Sequence, residues 1–195
     1  MADNGLKLSI LICSVDRIER QESLNKLIHE LNSQIASNYA ENIVEVLIET
    51  DNGTMSVGQK RNLLIEKAQG EYICFIDDDD FISKNYLNVI LQNLNKDICL
   101  IRIDHIVNGE RTKAIQTSLY IHYLETAEVL LKANHLHLCP HKKSKAVWTK
   151  FLHINFAEDL DYSQRLIPEL DTYNMVEEPI YIYNDNLPAS LTRNV

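Results

Sequence analysis

Glycine is scarce in this chain, five residues of 195, and three of the five (Gly53, Gly58 and Gly70) fall in one short stretch, where they mark turn and helix boundaries. Cysteine is sparse and unpatterned. Cys13, Cys74, Cys99 and Cys139 show neither a CxxC spacing nor a zinc-like pairing with histidine. Three of them lie in apolar, strand-like runs, where a free cysteine behaves as a small hydrophobe, so a reduced, cytoplasmic setting is expected. No apolar run approaches the roughly 20 residues that cross a bilayer. The start, Met1-Ala2-Asp3-Asn4, lacks the basic segment and apolar stretch of a signal peptide, and a chain without a transmembrane segment is expected. Basic residues are outnumbered, 19 against 28 acidic ones, for a net charge of -9. That balance excludes a surface built throughout to grip nucleic acid, although a local basic groove remains open. What is present is an apolar fraction of 45%, ordinary for a globular protein. The length suits one domain with a core of its own. Four aspartates stand in a row at Asp77 to Asp80.

The first hundred residues alternate in pattern. Leu6–Cys13 reads as a buried strand, and Val44–Ile48 and Tyr72–Ile76 read as a second and a third strand. Between and after them, Glu19–Gln34 (Leu24, Leu27, Ile28, Leu31), Gly58–Ala68 and Lys84–Leu94 read as helices, with Gly70 as the C-cap of the second. Strand, helix, strand, helix, strand, helix builds a parallel sheet with helices on its faces. Ligands of such sheets bind at the carboxyl ends of the strands. Those ends deliver Ser14 to Arg17, Glu49 to Gly53 and Asp77 to Asp80 to one edge. The second half changes style. A hairpin is expected over Ile98–Val107 and Thr112–Ile121 around Asn108-Gly109. A short helix over Ala127–Ala133, a histidine-rich loop, a helix over Glu158–Leu166 and a last strand over Ile180–Tyr183 follow. The tail beyond Asn184 is polar.

Four adjacent carboxylates repel, so something must offset them. A solvated loop with Asp80 or Ser83 capping the next helix is one answer. The other is a divalent cation, since Mg²⁺ and Mn²⁺ take hard oxygen ligands and complete their shells with water and substrate phosphates. Residues two apart in extended chain project to one side, which lets Asp77 and Asp79 share a pocket while Asp78 points elsewhere.

Asp51-Asn52-Gly53, Gly58-Gln59-Lys60-Arg61-Asn62 and the run from Ala68-Gln69-Gly70-Glu71-Tyr72 to Asp77-Asp78-Asp79-Asp80 resemble, in order and spacing, the family-2 type of GT-A glycosyltransferases. The resemblance implies an α/β GT-A fold, Rossmann-like, with a mainly parallel central sheet and helices on both faces. It implies a single domain over 1–195, with 1–100 as the nucleotide-sugar-binding half and 101–195 as the half for the acceptor and the catalytic base. It implies transfer from a nucleotide-sugar, a UDP-sugar first of all, with Mn²⁺ or Mg²⁺ and inversion at the anomeric carbon. Carried over by position, Ser14, Asp51, Arg61, Asp77 and Asp78 hold the donor, and Asp79 with Asp77 meets the metal. Val15 stands where an aromatic residue is common in the family, which implies less stacking on the base.

Phe156-Ala157-Glu158-Asp159-Leu160-Asp161, followed by Arg165-Leu166, resembles the family's second acidic motif. It implies Asp159 as the general base, with Asp161 in reserve. Acidic residues in a first helical turn also favour the macrodipole, and Arg165 suits an i, i+4 pair with Asp161. The stretch between the motifs holds His135, His137, His141, Lys142, Lys143, Lys145 and Trp148. It is expected to shape the acceptor pocket, with His141, Trp148 and Glu158 as candidate contacts, or to be a solvated loop around one buried tryptophan. The acceptor is open among a glycan, a lipid-linked sugar, a protein and modified nucleic acid. Two other functions compete: a phosphohydrolase of the haloacid dehalogenase type, with Asp77 as nucleophile and Asp79 as acid, and a non-catalytic binding protein of the same fold.

Overall fold

The computed structural model describes residues 5–120, 123–126, 129–132 and 135–185. Strand β1 (Leu8–Val15) is buried along nearly its whole length. It pairs in parallel with β2 (Val44–Asp51) on one side and β3 (Tyr72–Phe75) on the other. Helices α1 (Ile18–Ser37) and α2 (Val57–Lys67) make the two crossovers. Leu24, Leu27 and Leu31 of α1 join Leu8, Ile10 and Ile12 of β1 in the core, as the helical spacing of those leucines requires. The register sets Val15 opposite Asp51 and Leu11 opposite Phe75. Two residues past Phe75, the aspartate run therefore emerges beside the Cys13-Ser14 end of β1.

The remaining elements in chain order are β4 (Phe81–Ile82), α3 (Tyr86–Gln92), β5 (Ile98–Val107), β6 (Glu110–Arg111), β7 (Ala114–Thr117), β8 (Tyr123–Glu125) and β9 (Val129–Lys132). They are followed by β10 (His141–Lys142), α4 (Lys143–Thr149), α5 (Glu158–Leu166) and β11 (Tyr173–Asn184). One sheet runs in the order β2-β1-β3-β10-β5-β7-β9-β8, with β11 parallel to β5 and antiparallel to β4. The β2-β1-β3 half is parallel, as the alternating pattern requires. Beyond it the sheet is mixed, because β10 is antiparallel to both β3 and β5.

Three expectations change. Of the segment Ala127–Ala133, residues 129–132 form strand β9 rather than a helix, paired with β7 and β8; 127, 128 and 133 lie outside the described residues. Ladder partners on both sides outweigh the local helical spacing. The second arm of the hairpin is shorter than Thr112–Ile121. The turn at Asn108-Gly109 (both at positive φ) leads into β6, and β7 ends at Thr117. The last strand starts at Tyr173, not Ile180, and Pro179 sits at an irregularity in its ladder with β5, where a missing N–H is tolerated.

Two glycines are explained by close approach. Gly70 is not in the left-handed conformation of a C-cap. A Cβ there would lie 2.7 Å from the Leu8 carbonyl carbon and the Ser9 nitrogen of β1, and Gly70 N donates to Ser9 Oγ at 2.8 Å. At Gly58 a Cβ would lie 1.7 Å from the Leu152 carbonyl oxygen, where the start of α2 docks on the 152–154 segment through Gly58 N to Ile154 O. Backbone cannot swing aside as a side chain does, so Gly58→Ala is expected to cost at least about 1–3 kcal/mol, read as a lower urea midpoint at unchanged m-value.

Asp97 ties the start of β5 to the segment before β11. It accepts from Lys142 Nζ (3.0 Å), Asp171 N (3.0 Å) and Thr172 N (3.1 Å). Burial works against its charge, but these donors prevail and hold its carboxyl down at about 2, against 3.8 ordinarily. A depressed carboxylate stabilises the fold above its unfolded value and loses that contribution as pH falls through the folded one. The stability gap between the parent chain and Asp97→Asn is expected to be full at pH 6 and to close between pH 4 and 2, measured by urea denaturation across that range.

Candidate active site

The three strand ends meet, as their order requires. At the end of β1, Ser14 Oγ donates to Asp78 Oδ2 (2.6 Å), and the Ser14 carbonyl accepts from Lys60 Nζ (2.7 Å). Lys60 also pairs with Asp51 Oδ1 (2.8 Å). Its ammonium is thus turned inward rather than lying on the exposed face of α2. Asp51 Oδ2 accepts from Met55 N (2.7 Å). Burial opposes the charge on Asp51, yet the Lys60 bond and the Met55 amide hold its carboxyl well below the usual range. Both Asp51 oxygens are engaged in locking the turn after β2.

The aspartate run is divided among several partners. Asp78, with no exposed surface, takes Ser14 and Arg20, whose Nε lies 3.2 Å from Oδ2. Arg20, from the first turn of α1, also bonds Asp79. Asp77 accepts from Arg61 (3.2 Å), and its amide donates to the Tyr181 hydroxyl (3.1 Å). Asp80 accepts from the Tyr181 hydroxyl (2.7 Å) and Asn184 N (2.9 Å). Burial, then Asp77 and Asp79, push its carboxyl well above the ordinary range. Asp80 is therefore bound into β11 and does not cap α3, whose N-cap is Asn85; the Asn85 side chain makes no capping bond and instead accepts from Ser83 Oγ (2.6 Å). Asp79 is raised to about 6, by burial first, with Arg20 opposing and Asp77 and Asp78 adding.

Arg61 links this run to the second acidic motif. Its guanidinium is buried against the faces of Phe151 and Phe75, at 5.1 and 5.4 Å from their ring centroids. It pairs with Asp77 and with Glu158 Oε1 (3.0 Å). Ala157, at the entrance to α5, is in the left-handed region (φ 60). That is a strained conformation for a residue with a Cβ, immediately before Glu158. The next carboxylate, Asp159, faces a cavity and accepts from Leu160 N (2.8 Å). Burial raises its pKa, with Arg61 opposing. Asp161 is spent differently: Arg165 bonds it at i, i+4 and reaches the Thr149 and Lys150 carbonyls. The pairing foreseen for Arg165 is present, and it occupies the reserve base.

Two adjoining cavities result. One, of about 130 Å³, is lined by Ser14, Arg20, Lys60 and the aspartates. The other, of about 300 Å³, is lined by Asp159, His135, His137 and Phe156. They share Arg61, Asp77, Asn155, Glu158 and Tyr183. Asp51 lines neither. The acceptor candidates from the basic stretch also fall away from them. His141 is fully buried between the Cys139 carbonyl (2.7 Å) and the Tyr162 hydroxyl (2.8 Å). That takes it out of the acceptor surface. Trp148 is 88% exposed on α4, so it is neither a wall of these cavities nor the buried tryptophan of the alternative reading.

A hard cation fits the donor set at the first cavity. The Asp77 and Asp79 carboxylates are the partly exposed ones of the run, at 33% and 17%, and line the same space. Burial first, and then Asp77 and Asp78, raise Asp79 against the opposing Arg20, and a cation there would relieve the repulsion. Among the described residues no group of three or more His, Cys, Asp or Glu forms a ready cage. Mg²⁺ and Mn²⁺ held through one or two carboxylates and substrate phosphates need none.

Known proteins share this fold. A curated relative, the uncharacterized glycosyltransferase EpsJ of Bacillus subtilis (strain 168), is 27% identical over 181 residues, 83% of this chain and 51% of its own length. The chain thus spans about half of that relative. The crystal structure of S. aureus TarS 1-349 in complex with UDP-GlcNAc superposes with a TM-score of 0.66 at 16% identity, covering 97% of this chain and 61% of that one. The catalytic domain of Drosophila beta1,4galactosyltransferase 7, solved with xylobiose, gives 0.53 at 10% identity, covering 89% and 69%. These likenesses show the α/β GT-A fold. The model of glycosyl transferase family 2 matches residues 32–144, more than half of the chain, and the chain therefore belongs to glycosyl transferase family 2.

Proposed function

We propose that the chain transfers a glycosyl group from a nucleotide-sugar, a UDP-sugar first of all, to an acceptor hydroxyl with inversion at the anomeric carbon. One observation carries this reading: Arg61 joins the acidic run at the end of β3 to the acidic start of α5, so that two cavities share a wall. A donor in the smaller cavity and an acceptor in the larger would meet across Asp77 and Glu158. TarS, which has the same fold, has been solved with UDP-GlcNAc and with UDP, which supports the choice of donor.

In this reading Asp159 is the base. It faces the second cavity, it is held by a backbone amide rather than an ion pair, and burial raises its proton affinity toward that of a useful acceptor. Asp79 and Asp77 would hold Mn²⁺ or Mg²⁺, which supplies Lewis-acid stabilisation of the leaving diphosphate. Lys60 and Arg61 place fixed positive charge on the same wall. Ser14 and Asp78 shape the donor site by holding one another. Asp51 acts through the turn that it locks and through Lys60. Glu158 acts as the partner that keeps Arg61 in place. Residues 1–100 would serve the donor and 101–195 the acceptor and base, within one domain.

Among the described residues no helix is long and apolar enough to cross a membrane. All four cysteines are free and three are buried, which fits a reducing cytoplasm. The phosphohydrolase reading needs Asp77 as a free nucleophile, whereas Asp77 is paired with Arg61 and the chain belongs to a transferase family. The test is a panel of UDP-, GDP- and dTDP-sugars with Mn²⁺ or Mg²⁺, read as release of nucleoside diphosphate. Turnover of one UDP-sugar is expected. Release of inorganic phosphate from phosphomonoesters, with every nucleotide-sugar untouched, would overturn the reading.

A further inference from the structure

The larger cavity has a chemical character that the sequence does not suggest. Its charged walls are Asp77, Glu158 and Asp159, and the cation there, Arg61, is spent on two of those three carboxylates. The lysines of the stretch between the two acidic motifs are committed elsewhere. Lys142 pairs with Asp97, Lys143 bonds the Ala68 carbonyl, and Lys145 lies 4.0 Å from Asp171. None of the described residues lining the cavity is a lysine. Its two imidazoles add no charge either. Burial, then Lys132, pushes His135 down to about 3, and burial with Arg61 holds His137 well below its ordinary value.

A second, independent feature asks for a ligand. His137 is 3% exposed, lines the cavity, and its Nδ1 has no hydrogen-bond partner. A buried polar atom left unpaired is costly. A hydroxyl both donates and accepts, so it satisfies an imidazole nitrogen in either tautomer, whereas a phosphate or carboxylate oxygen only accepts. Phe156 is 60% exposed on the same wall and offers an aromatic face to the C–H side of a sugar ring.

We propose that this cavity receives an uncharged, polyhydroxylated acceptor, the neutral end of a sugar, with one hydroxyl on His137 Nδ1 and a ring face on Phe156, and that it rejects acceptors carrying phosphate or carboxylate beside the reacting hydroxyl. The inference rests on the proposed glycosyl transfer and names its acceptor class. An anion entering beside Glu158 and Asp159, the two carboxylates outside the proposed metal set, would be desolvated against like charge, with Arg61 already spent. A neutral sugar meets only hydrogen-bonding groups and an apolar wall.

The test is saturation-transfer NMR on the full chain with UDP and Mn²⁺ present. The neutral probes are the methyl glycosides of glucose, galactose, N-acetylglucosamine and N-acetylgalactosamine, and the charged ones are glucose 6-phosphate and glucuronate. At least one neutral glycoside is expected to bind, with both charged probes silent. Phe156→Ala, an exposed position that spares the core, is expected to weaken that glycoside by about five- to tenfold, with UDP affinity by calorimetry within about twofold. His137→Phe is expected to do the same. Charged probes binding as well as neutral ones would overturn the inference, and so would neutral binding indifferent to both variants or no neutral binding while UDP binds. Failure of UDP to bind the parent chain would overturn the donor reading, and this inference with it.

Discussion

Asp159→Asn is expected to slow glycosyl transfer about 10³-fold, within the range that a positioned general base supplies, and to leave UDP affinity within about twofold. The substitution keeps the shape of the side chain and its bond from Leu160 N, so the fold should not respond. What it removes is the ability to take a proton from the acceptor hydroxyl. Its neighbours serve as controls. Glu158 pairs with the buried Arg61 and Asp161 with Arg165. Glu158→Gln should therefore show itself first as lost stability and disturbed donor affinity, and Asp161→Asn as a small effect on either. Steady-state kinetics with the preferred nucleotide-sugar separates the cases: Asp159→Asn lowers kcat with KM for the donor held. If Asp159→Asn transfers normally while Asp161→Asn does not, the assignment of the base is reversed.

Arg20→Ala is expected to destabilise the chain by about 3–5 kcal/mol, the usual result of breaking a buried ion pair from one side. Asp78 has no exposed surface, and without Arg20 only the Ser14 hydroxyl remains of the side chains that hold it. Asp79 loses the same partner. The loss is electrostatic rather than steric, so removing the stranded charge should restore most of it. Arg20→Ala combined with Asp78→Asn is expected to unfold in urea near the parent midpoint, since the amide oxygen introduced there would still accept from Ser14. A double variant no more stable than the single one would show that Arg20 acts through packing of its stem instead.

The path from residues to this site is uneven, and the reasons are physical. The β1-α1-β2-α2-β3 half is readable because each element declares itself locally: Leu-, Ile- and Val-rich runs for the strands, and Leu24, Leu27 and Leu31 for α1. The aspartate run is readable because it follows a buried strand directly. Arg20 is not, since its partners stand 58 and 59 residues away. A signal is present even so. Arg20 lies four residues before Leu24, on the buried stripe of α1, where an arginine must find an acid. Lys60 follows the same logic on α2, where it is buried and pairs with Asp51.

The region from His135 to Trp148 is not readable in this way, because composition does not say which side of a segment faces inward. His141 turns into the core toward Tyr162 and Trp148 turns out to solvent, while His135 and His137, two residues apart, come to the cavity wall. Strand β9 escapes local reading because its partners, β7 and β8, supply through the ladder what the four residues do not show by themselves.

The proposed transfer requires a nucleoside diphosphate in the smaller cavity. The most direct measurement is calorimetric titration of UDP into the full chain with and without Mn²⁺, repeated on Asp79→Ala. The expected result is saturable one-to-one binding with Mn²⁺, weakened about tenfold or more when either the cation or the Asp79 carboxylate is removed. Absence of UDP binding to the parent chain, or affinity indifferent to both Mn²⁺ and Asp79, would contradict it.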